Sequence, residues 1–105
     1  MSAYFILTYN IADEETYSAG YVPGGAATVV GTITKHGGKI LVADHDADFA
    51  SGERRDNVVI IEFPTAAAIQ EWLDDEEYAP VKAIRLASTS NITQIVAEGF
   101  VPPGQ

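Results

Sequence analysis

The sequence predicts an α+β fold with an antiparallel four-stranded sheet that carries helices on one face. Four short apolar segments have the composition of β-strands, and helical patterns separate the first from the second and the third from the fourth. No internal period or low-complexity tract indicates a repeat protein. The resulting order, β-α-β-β-α-β, is the split βαβ order of ferredoxin-like domains, here with its second helix split in two.

Length and composition favour one domain with an apolar core. The chain has 105 residues, of which 47% are hydrophobic and 20% are charged. These values are outside the range of disordered and fibrous proteins. We therefore expect a single domain over residues 1–105, with a flexible tail over 101–105 that contains two prolines and a glycine.

The charge balance excludes several classes of partner. With 15 acidic and 6 basic residues, the net charge is -9, which repels nucleic-acid phosphates and anionic membranes. The absence of cysteine excludes disulfides and thiolate chemistry. Because the first residues lack a basic segment and their apolar run is short, we predict no signal peptide or membrane span and a cytoplasmic location.

The predicted strands also indicate how the sheet is covered. They are the apolar runs Ala3–Asn10, Lys39–Ala43, Asn57–Phe63 and Asn91–Glu98. In two of them the central residues, 4–7 and 58–61, are apolar without alternation, which is typical of strands buried on both faces. Helices in so short a chain cover only one face. We therefore expect a second copy to cover the other, giving a homodimer joined through its sheets.

The first helical region begins after Asp13, a suitable N-cap that is followed by two glutamates. A proline and glycines interrupt the pattern at residues 21–25, which predicts a kink or two separate helices. The region resumes with one apolar face and ends at residues 35–38, where two glycines follow a histidine. That predicted face consists of Ala26, Val29, Val30 and Ile33.

The second helical region begins at Pro64 and Thr65. Its apolar residues recur at helical spacing, and we expect this face to pack on the sheet. They are Ala68, Ile69, Trp72 and Leu73. An acidic run over residues 74–77 then links it to a further helix entered through Pro80, with Val81 and Ile84 on the buried side.

Motifs along most of the chain resemble those of the domain of unknown function 1330 family. They comprise residues 58–65, Trp72, Glu77-Tyr78, Pro80, residues 82–85, Thr16-Tyr17, Val22-Pro23, residues 35–39 and residues 96–99. The resemblance implies a dimeric ferredoxin-like α/β barrel in which two sheets pack face to face. It implies no molecular function, because the name of the family declares that function unknown.

Two residues are candidates for acid or base chemistry. Glu62 ends an apolar strand, where desolvation would raise its pKa, but a strand-end carboxylate also commonly accepts hydrogen bonds in a purely structural role. His36 lies at a helix C-terminus, where an imidazole can cap free carbonyls or transfer a proton. The residues alone leave both alternatives open, although the resemblance gives His36 a fixed position near the second strand.

Other residues are candidates for binding an anionic or aromatic group. Arg85 lies beside the apolar stripe of the last helix and can hold a carboxylate, although pairing with Glu62 or the acidic run is the commoner fate. Arg54 and Arg55 share a loop, and we expect one to be solvated and the other, Arg55, to border a cleft.

Aromatic residues offer a wall for the same cleft. Trp72, Tyr78, Tyr17 and Tyr21 can line a small pocket, or they can serve only as core residues. At helical spacing from Ile69, Trp72 has the pattern of a core side chain, and we expect it to pack there with one edge exposed to the cleft.

The acidic segment after the second strand matches no established metal site. Residues 44–48 supply three aspartates and His45, but they lack the glycine and the closing glutamate of an EF-hand loop. We predict a solvated loop, no metal and no cofactor.

The sequence leaves two classes of function open. In the first, the protein binds or converts a small, anionic or aromatic metabolite in a cleft, with Glu62 and His36 as acid or base and Arg85, Arg55, Trp72 and Tyr78 as binding residues. In the second, it is a non-catalytic structural or regulatory dimerisation module.

Overall fold

Four strands form one sheet, and a pair of helices makes each of the two connections across it. The computed structural model describes residues 2–21, 25–100 and 103, and the side chains among them except those of 19–21, 25 and 26. The elements are β1 (Ala3–Ile11), α1 (Glu14–Tyr21), α2 (Gly25–Lys35), β2 (Lys39–Asp44), β3 (Asn57–Phe63), α3 (Ala66–Leu73), α4 (Ala79–Ser88) and β4 (Thr89–Glu98).

The observed elements confirm the predicted order and the split second helix. The first helical region also consists of two helices, and residues 22–24 of the predicted interruption lie outside the described residues. The tail predicted over 101–105 lies outside them too, apart from Pro103. In the part of the chain that the structure describes, no helix is long and apolar enough to cross a membrane.

The strands pair antiparallel in the order β2-β3-β1-β4. Side chains alternate between faces along a strand, and directly paired residues share a face. Phe5 pairs with Ile61, and both are buried beneath the helices. This inner face supplies most of the core. The four-stranded sheet with helices confirms the predicted α+β class.

The opposite, outer face carries an apolar row across all four strands. The pairs Val42↔Ile60, Ile60↔Ile6 and Ile6↔Ile95 place these four side chains side by side. In the single chain Val42 is 37% and Ile95 45% exposed, whereas Ile6 and Ile60 are half-buried. The apolar residues that break the alternation in β1 and β3 therefore lie on an open surface.

Trp72 is the centre of the core. Its ring is fully buried, lies edge-on to Phe5 at 5.3 Å between centroids and is tilted against Phe63 at 5.5 Å. Tyr78 stacks on it at 4.4 Å, and its indole Nε1 donates a hydrogen bond of 3.0 Å to Thr32 Oγ1. One side chain therefore connects α3 to the sheet, to α2 and to the start of α4.

Caps define the ends of the helices as the sequence predicts. Asp13 Oδ1 accepts a 3.1 Å hydrogen bond from the Thr16 backbone N–H at the start of α1, and Thr65 Oγ1 accepts one from Ala68 before α3. After α2, Gly37 takes a left-handed φ of 79°, and the Gly38 N–H donates to the Ile33 carbonyl at 2.8 Å.

We predict that Gly38→Ala destabilises the protein because the added methyl group has no room. A Cβ at this position would lie 2.7 Å from both Ile33 Cγ2 and Phe63 Cε1. Overpacking of this kind lowers the free energy of unfolding by about 1–3 kcal/mol. Urea denaturation measures the change.

Gly31→Ala is the matched control, since Gly31 lies inside α2 and its Cβ would meet nothing within 4 Å. Alanine there favours the helix by about 0.5–1 kcal/mol. Changes of the same sign in the two variants would contradict the packing at Gly38.

Candidate functional site

A cavity of about 210 Å³ lies between the inner face of the sheet and the helices. Apolar side chains of the sheet and of α2 form most of its lining, together with Trp72 of α3. The apolar lining residues are Leu7, Val29, Val30, Ile33, Ile40, Ala43, Val59, Ile61 and Trp72. Val29, Val30 and Ile33 belong to the face predicted for the first helical region, whereas the side chain of Ala26 lies outside the described residues.

Arg85 brings a positive charge to this apolar cavity. It lies on α4, is only 3% exposed, and has its guanidinium 5.5 Å from the centre of the Tyr78 ring. Among the residues that the structure describes, its Nε and Nη2 have no hydrogen-bond partner. No acidic side chain among the described residues pairs with this buried cation, and the Tyr78 ring offsets part of the cost of burying it.

The prediction that Arg85 pairs with Glu62 or with the acidic run over residues 74–77 is therefore wrong within the described part of the chain. Glu62 is on the outer face, paired with Tyr4, and so lies on the other side of the sheet from Arg85. In the acidic run, Asp75 and Glu77 instead form ion pairs with Lys35. Which face of the sheet Glu62 lies on depends on the strand register, which is not visible in the sequence, and this register separates Glu62 from Arg85.

The two predicted aromatic residues occupy different positions. Trp72 lines the cavity and is also the core residue that the sequence predicted. Tyr78 is fully buried behind it, between Trp72 and Arg85, and thus supports the cavity from behind. Tyr17, which the sequence predicted for the pocket, and Tyr9 line the cavity with their hydroxyl oxygens 2.7 Å apart. The side chain of Tyr21 lies outside the described residues.

Glu62 has a different environment from the cavity residues. On the outer face its Oε2 accepts a 3.2 Å hydrogen bond from the Tyr4 hydroxyl. This hydrogen bond, together with the negative charge of the carboxylate, raises the pKa of Tyr4 above its ordinary value. The structure therefore gives the Glu62 carboxylate a tyrosine hydroxyl as its hydrogen-bond donor, the kind of contact that a structural role requires.

His36 lies at the end of α2, where it joins a cluster of charged side chains. Its Nε2 is 2.6 Å from Asp75 Oδ2, and Lys35 Nζ is 2.9 Å from the same oxygen. The imidazole thus contacts a carboxylate of the α3–α4 link and not the free carbonyls of its own helix. The hydrogen bonds from His36 and then Lys35 hold the pKa of Asp75 well below its usual value.

Arg55 and Arg54 lie in the loop before β3, outside the lining of the cavity. Arg55 Nε donates a 3.2 Å hydrogen bond to the Asn91 carbonyl, and its Nη1 is 3.6 Å from Glu53 Oε2. Arg54 pairs with Asp46 at 2.8 Å on the surface. Both side chains therefore have partners in or near their own loop. The prediction that Arg55 borders the cleft is not met by this cavity, because Arg55 is not among its lining residues.

Two polar residues of the cavity, Tyr9 and His45, were not predicted from the sequence. His45 lines it, and its Nδ1 is hydrogen-bonded to Oδ1 of the buried Asn57. The pairing Asp44↔Val58 carries the chain past β2 so that His45 comes beside Asn57. Antiparallel pairing of the second and third predicted strands was the signal that could have placed it. Within the described residues no three His, Asp or Glu side chains converge in a metal-binding group.

Sequence comparison identifies one matching family. The family profile described as Domain of unknown function (DUF1330) matches residues 2–100, in agreement with the resemblance noted from the motifs. No curated protein matches the chain.

Several solved structures resemble the fold. A protein of unknown function from Rhodopseudomonas palustris is 19% identical with a TM-score of 0.75, covering 96% of this chain and 84% of its own. A dimeric ferredoxin-like protein of unknown function from Jannaschia sp. CCS1 is 14% identical with a TM-score of 0.71, covering 94% and 100%.

SnoaB, a cofactor-independent oxygenase from Streptomyces nogalater, is 8% identical with a TM-score of 0.60, covering 99% and 98%. At these identities the similarity shows the fold alone. It confirms the ferredoxin-like architecture, and the protein from Jannaschia sp. CCS1 is described as dimeric.

We predict that Asp75→Asn lowers the free energy of unfolding at neutral pH. The difference in this free energy between the variant and the unchanged protein should become smaller as the pH falls. Because the folded pKa of Asp75 is depressed, its contribution is present above the ordinary value of 3.8 and is lost as the pH falls below it. Urea denaturation at pH 7 and at intervals from pH 4 to about pH 2 measures this.

Glu76→Gln, in the same link, is the control, because Glu76 is exposed. Its effect should be small at every pH. A destabilisation by Asp75→Asn that does not depend on pH would contradict the linkage.

Proposed function

The chain belongs to the DUF1330 family, a domain of unknown function, and we propose that it binds a small carboxylate with an apolar body in the cavity above the inner sheet face. The observation that carries the proposal is the buried guanidinium of Arg85 beside that cavity, with Nε and Nη2 unpartnered among the described residues. A carboxylate against the guanidinium would supply the counter-charge, and it would supply the missing acceptors once a small side-chain shift uncovers Nε and Nη2, which are covered in this structure.

The geometry of the guanidinium favours a carboxylate over other acceptors. The N–H bonds on Nε and Nη2 are parallel, and this edge of an arginine matches the two oxygens of one carboxylate. Such bidentate pairs are strong when water is excluded, and Arg85 is almost entirely buried. A neutral ligand would leave the charge of Arg85 uncompensated.

The size and lining of the cavity restrict the rest of the ligand. A cavity of about 150 Å³ accommodates benzene, so about 210 Å³ suits an acid that carries one ring or a branched chain. The wall supplied by Trp72, with Leu7, Ile33 and Ile61, favours an apolar and preferably aromatic body.

Of the residues predicted from the sequence, Arg85 and Trp72 form the proposed site and Tyr78 supports both. Glu62, His36 and Arg55 have partners elsewhere, and we give them no part in binding. SnoaB, a cofactor-independent oxygenase, shares the fold. Conversion of the bound acid without a cofactor is therefore a coherent extension of the proposal, by analogy of fold only.

A dimerisation role is the second candidate, and the outer face of the sheet favours it. The row of Val42, Ile60, Ile6 and Ile95 crosses every strand and is open in the single chain. An apolar surface of this kind is typical of an interface. We propose that a second copy covers it, which is compatible with ligand binding on the inner face.

We predict that phenylacetate raises the melting temperature of the protein and that phenylacetamide does not. A ligand at 100 times its Kd adds about 2.7 kcal/mol, which for a domain of this size is a shift of roughly 10 °C or more. In Arg85→Met the shift is lost. The variant itself gains about 1–3 kcal/mol of stability without ligand, because an unpaired buried charge is removed.

Arg54→Gln is the control, since Arg54 is an exposed arginine paired with Asp46 at the surface, and it should retain the full shift. A ligand-free Arg85→Met that is less stable than the unchanged protein would contradict the unpaired state. If no carboxylate shifts the melting temperature, the dimerisation role becomes the better account.

We predict that Ile95→Arg dissociates the homodimer into monomers because it places a charge in the apolar row. Sedimentation velocity at micromolar concentrations measures the change. Leu86→Arg is the matched control, since Leu86 of α4 has the same 45% exposure as Ile95 but lies on a helix. Equal effects of the two substitutions, or a monomeric unchanged protein, would exclude the sheet-to-sheet dimer.

A further inference from the structure

We infer that His45 is a second polar anchor of the cavity and accepts a hydrogen bond from a hydroxyl group of the ligand, so that the ligand is a hydroxy-substituted acid. This inference rests on the proposed carboxylate site and adds the identity of a second functional group.

The position of His45 makes it available to the same ligand as Arg85. Both side chains line one cavity, but they come from different elements, Arg85 from α4 and His45 from the segment after β2. His45 is an exposed residue, whereas Arg85 is buried, and the rest of the lining is apolar apart from Tyr9 and Tyr17. A ligand that fills the cavity can therefore contact both polar groups.

Asn57 determines which nitrogen of His45 is free. The Asn57 side chain is 2% exposed, and its amide oxygen is hydrogen-bonded to His45 Nδ1. Because the structure places the amide oxygen, which only accepts, against His45, Nδ1 carries the proton in this arrangement. In the neutral imidazole Nε2 then has a lone pair and no hydrogen. His45 therefore offers the cavity an acceptor, which a hydroxyl group satisfies and a ketone or ether oxygen does not.

The β-sheet register holds this arrangement in place. Asn57 is the first residue of β3 and pairs with Tyr9 of β1, so its side chain lies on the inner face with the cavity. Asn57 Nδ2 is buried and has no hydrogen-bond partner among the described residues. Within the described residues, the side-chain hydrogen bond of Asn57 is therefore the one between its amide oxygen and His45.

Charge and polarity at the two anchors are complementary. Arg85 is the one cationic side chain in the lining given for this cavity, which suits a monoanion better than a dicarboxylate. A ligand with its carboxylate on Arg85 and its hydroxyl on His45 leaves neither of its polar groups unpaired in the apolar cavity.

The test compares matched acids by the fluorescence of Trp72, the single tryptophan of the chain, which lines the cavity. The probes are phenylacetate, its three hydroxy isomers and the corresponding methoxy and acetyl derivatives. We expect one hydroxyphenylacetate to bind three- to tenfold more tightly than phenylacetate, as one neutral hydrogen bond provides, and more tightly than its methoxy and acetyl counterparts.

His45→Phe should abolish this preference and leave the affinity for phenylacetate within about twofold. If phenylacetate binds through Arg85 but no hydroxy isomer is preferred, or if the acetyl derivative binds best, the inference on His45 is overturned and the carboxylate site stands. If none of the acids quenches Trp72 or binds, both proposals are overturned together.

A second measurement on the unchanged protein does not depend on the variant. The ¹⁵N signals of a neutral histidine distinguish its tautomers. We expect His45 to be protonated at Nδ1 and unprotonated at Nε2 before ligand is added. A proton on Nε2 would contradict the inference, because His45 would then be a donor in the cavity.

Discussion

The proposed chemistry depends on a buried guanidinium that has two nitrogens without an acceptor in the part of the chain that the structure describes. Arg85 is almost fully removed from water, contacts the Tyr78 ring and lies against an apolar cavity. Leaving a charge in such a place destabilises the folded chain, and a protein tolerates this where a ligand compensates it. The stack of Tyr78 on Trp72 gives the guanidinium a fixed platform, and Trp72 connects that platform to β1, β3 and α2.

The two faces of the sheet divide the molecule between two tasks. Odd-numbered residues of β1 lie beneath the helices with the cavity, and even-numbered ones lie on the outer face. Because the strands pair in register, Ile6 becomes part of an apolar row while its neighbour Leu7 lines the cavity. Ligand binding and dimerisation can therefore occur on one thin sheet without sharing side chains.

Local sequence signals predicted the helices and strands well. They did not predict which side chains meet across the sheet, because that depends on the strand register. The caps at Asp13 and Thr65 and the apolar spacing of α2 and α3 are visible in the sequence and recur in the structure. The partners of Arg85 were predicted wrongly because a shift of one residue in a strand moves a side chain to the other face, and Glu62 lies on the outer one. The position of His45 in the cavity was not predicted because it depends on contact with Asn57, twelve residues away along the chain.

The most direct test of the unpaired state of Arg85 is the ¹⁵N–¹H signal of its Nε group. The chain has only three arginines, so Arg85→Lys assigns this signal by difference. The account predicts a downfield shift of the Nε proton when phenylacetate is added, with no change on addition of phenylacetamide, since a carboxylate accepts its hydrogen bond. An Nε signal that does not change while phenylacetate binds would contradict the central claim.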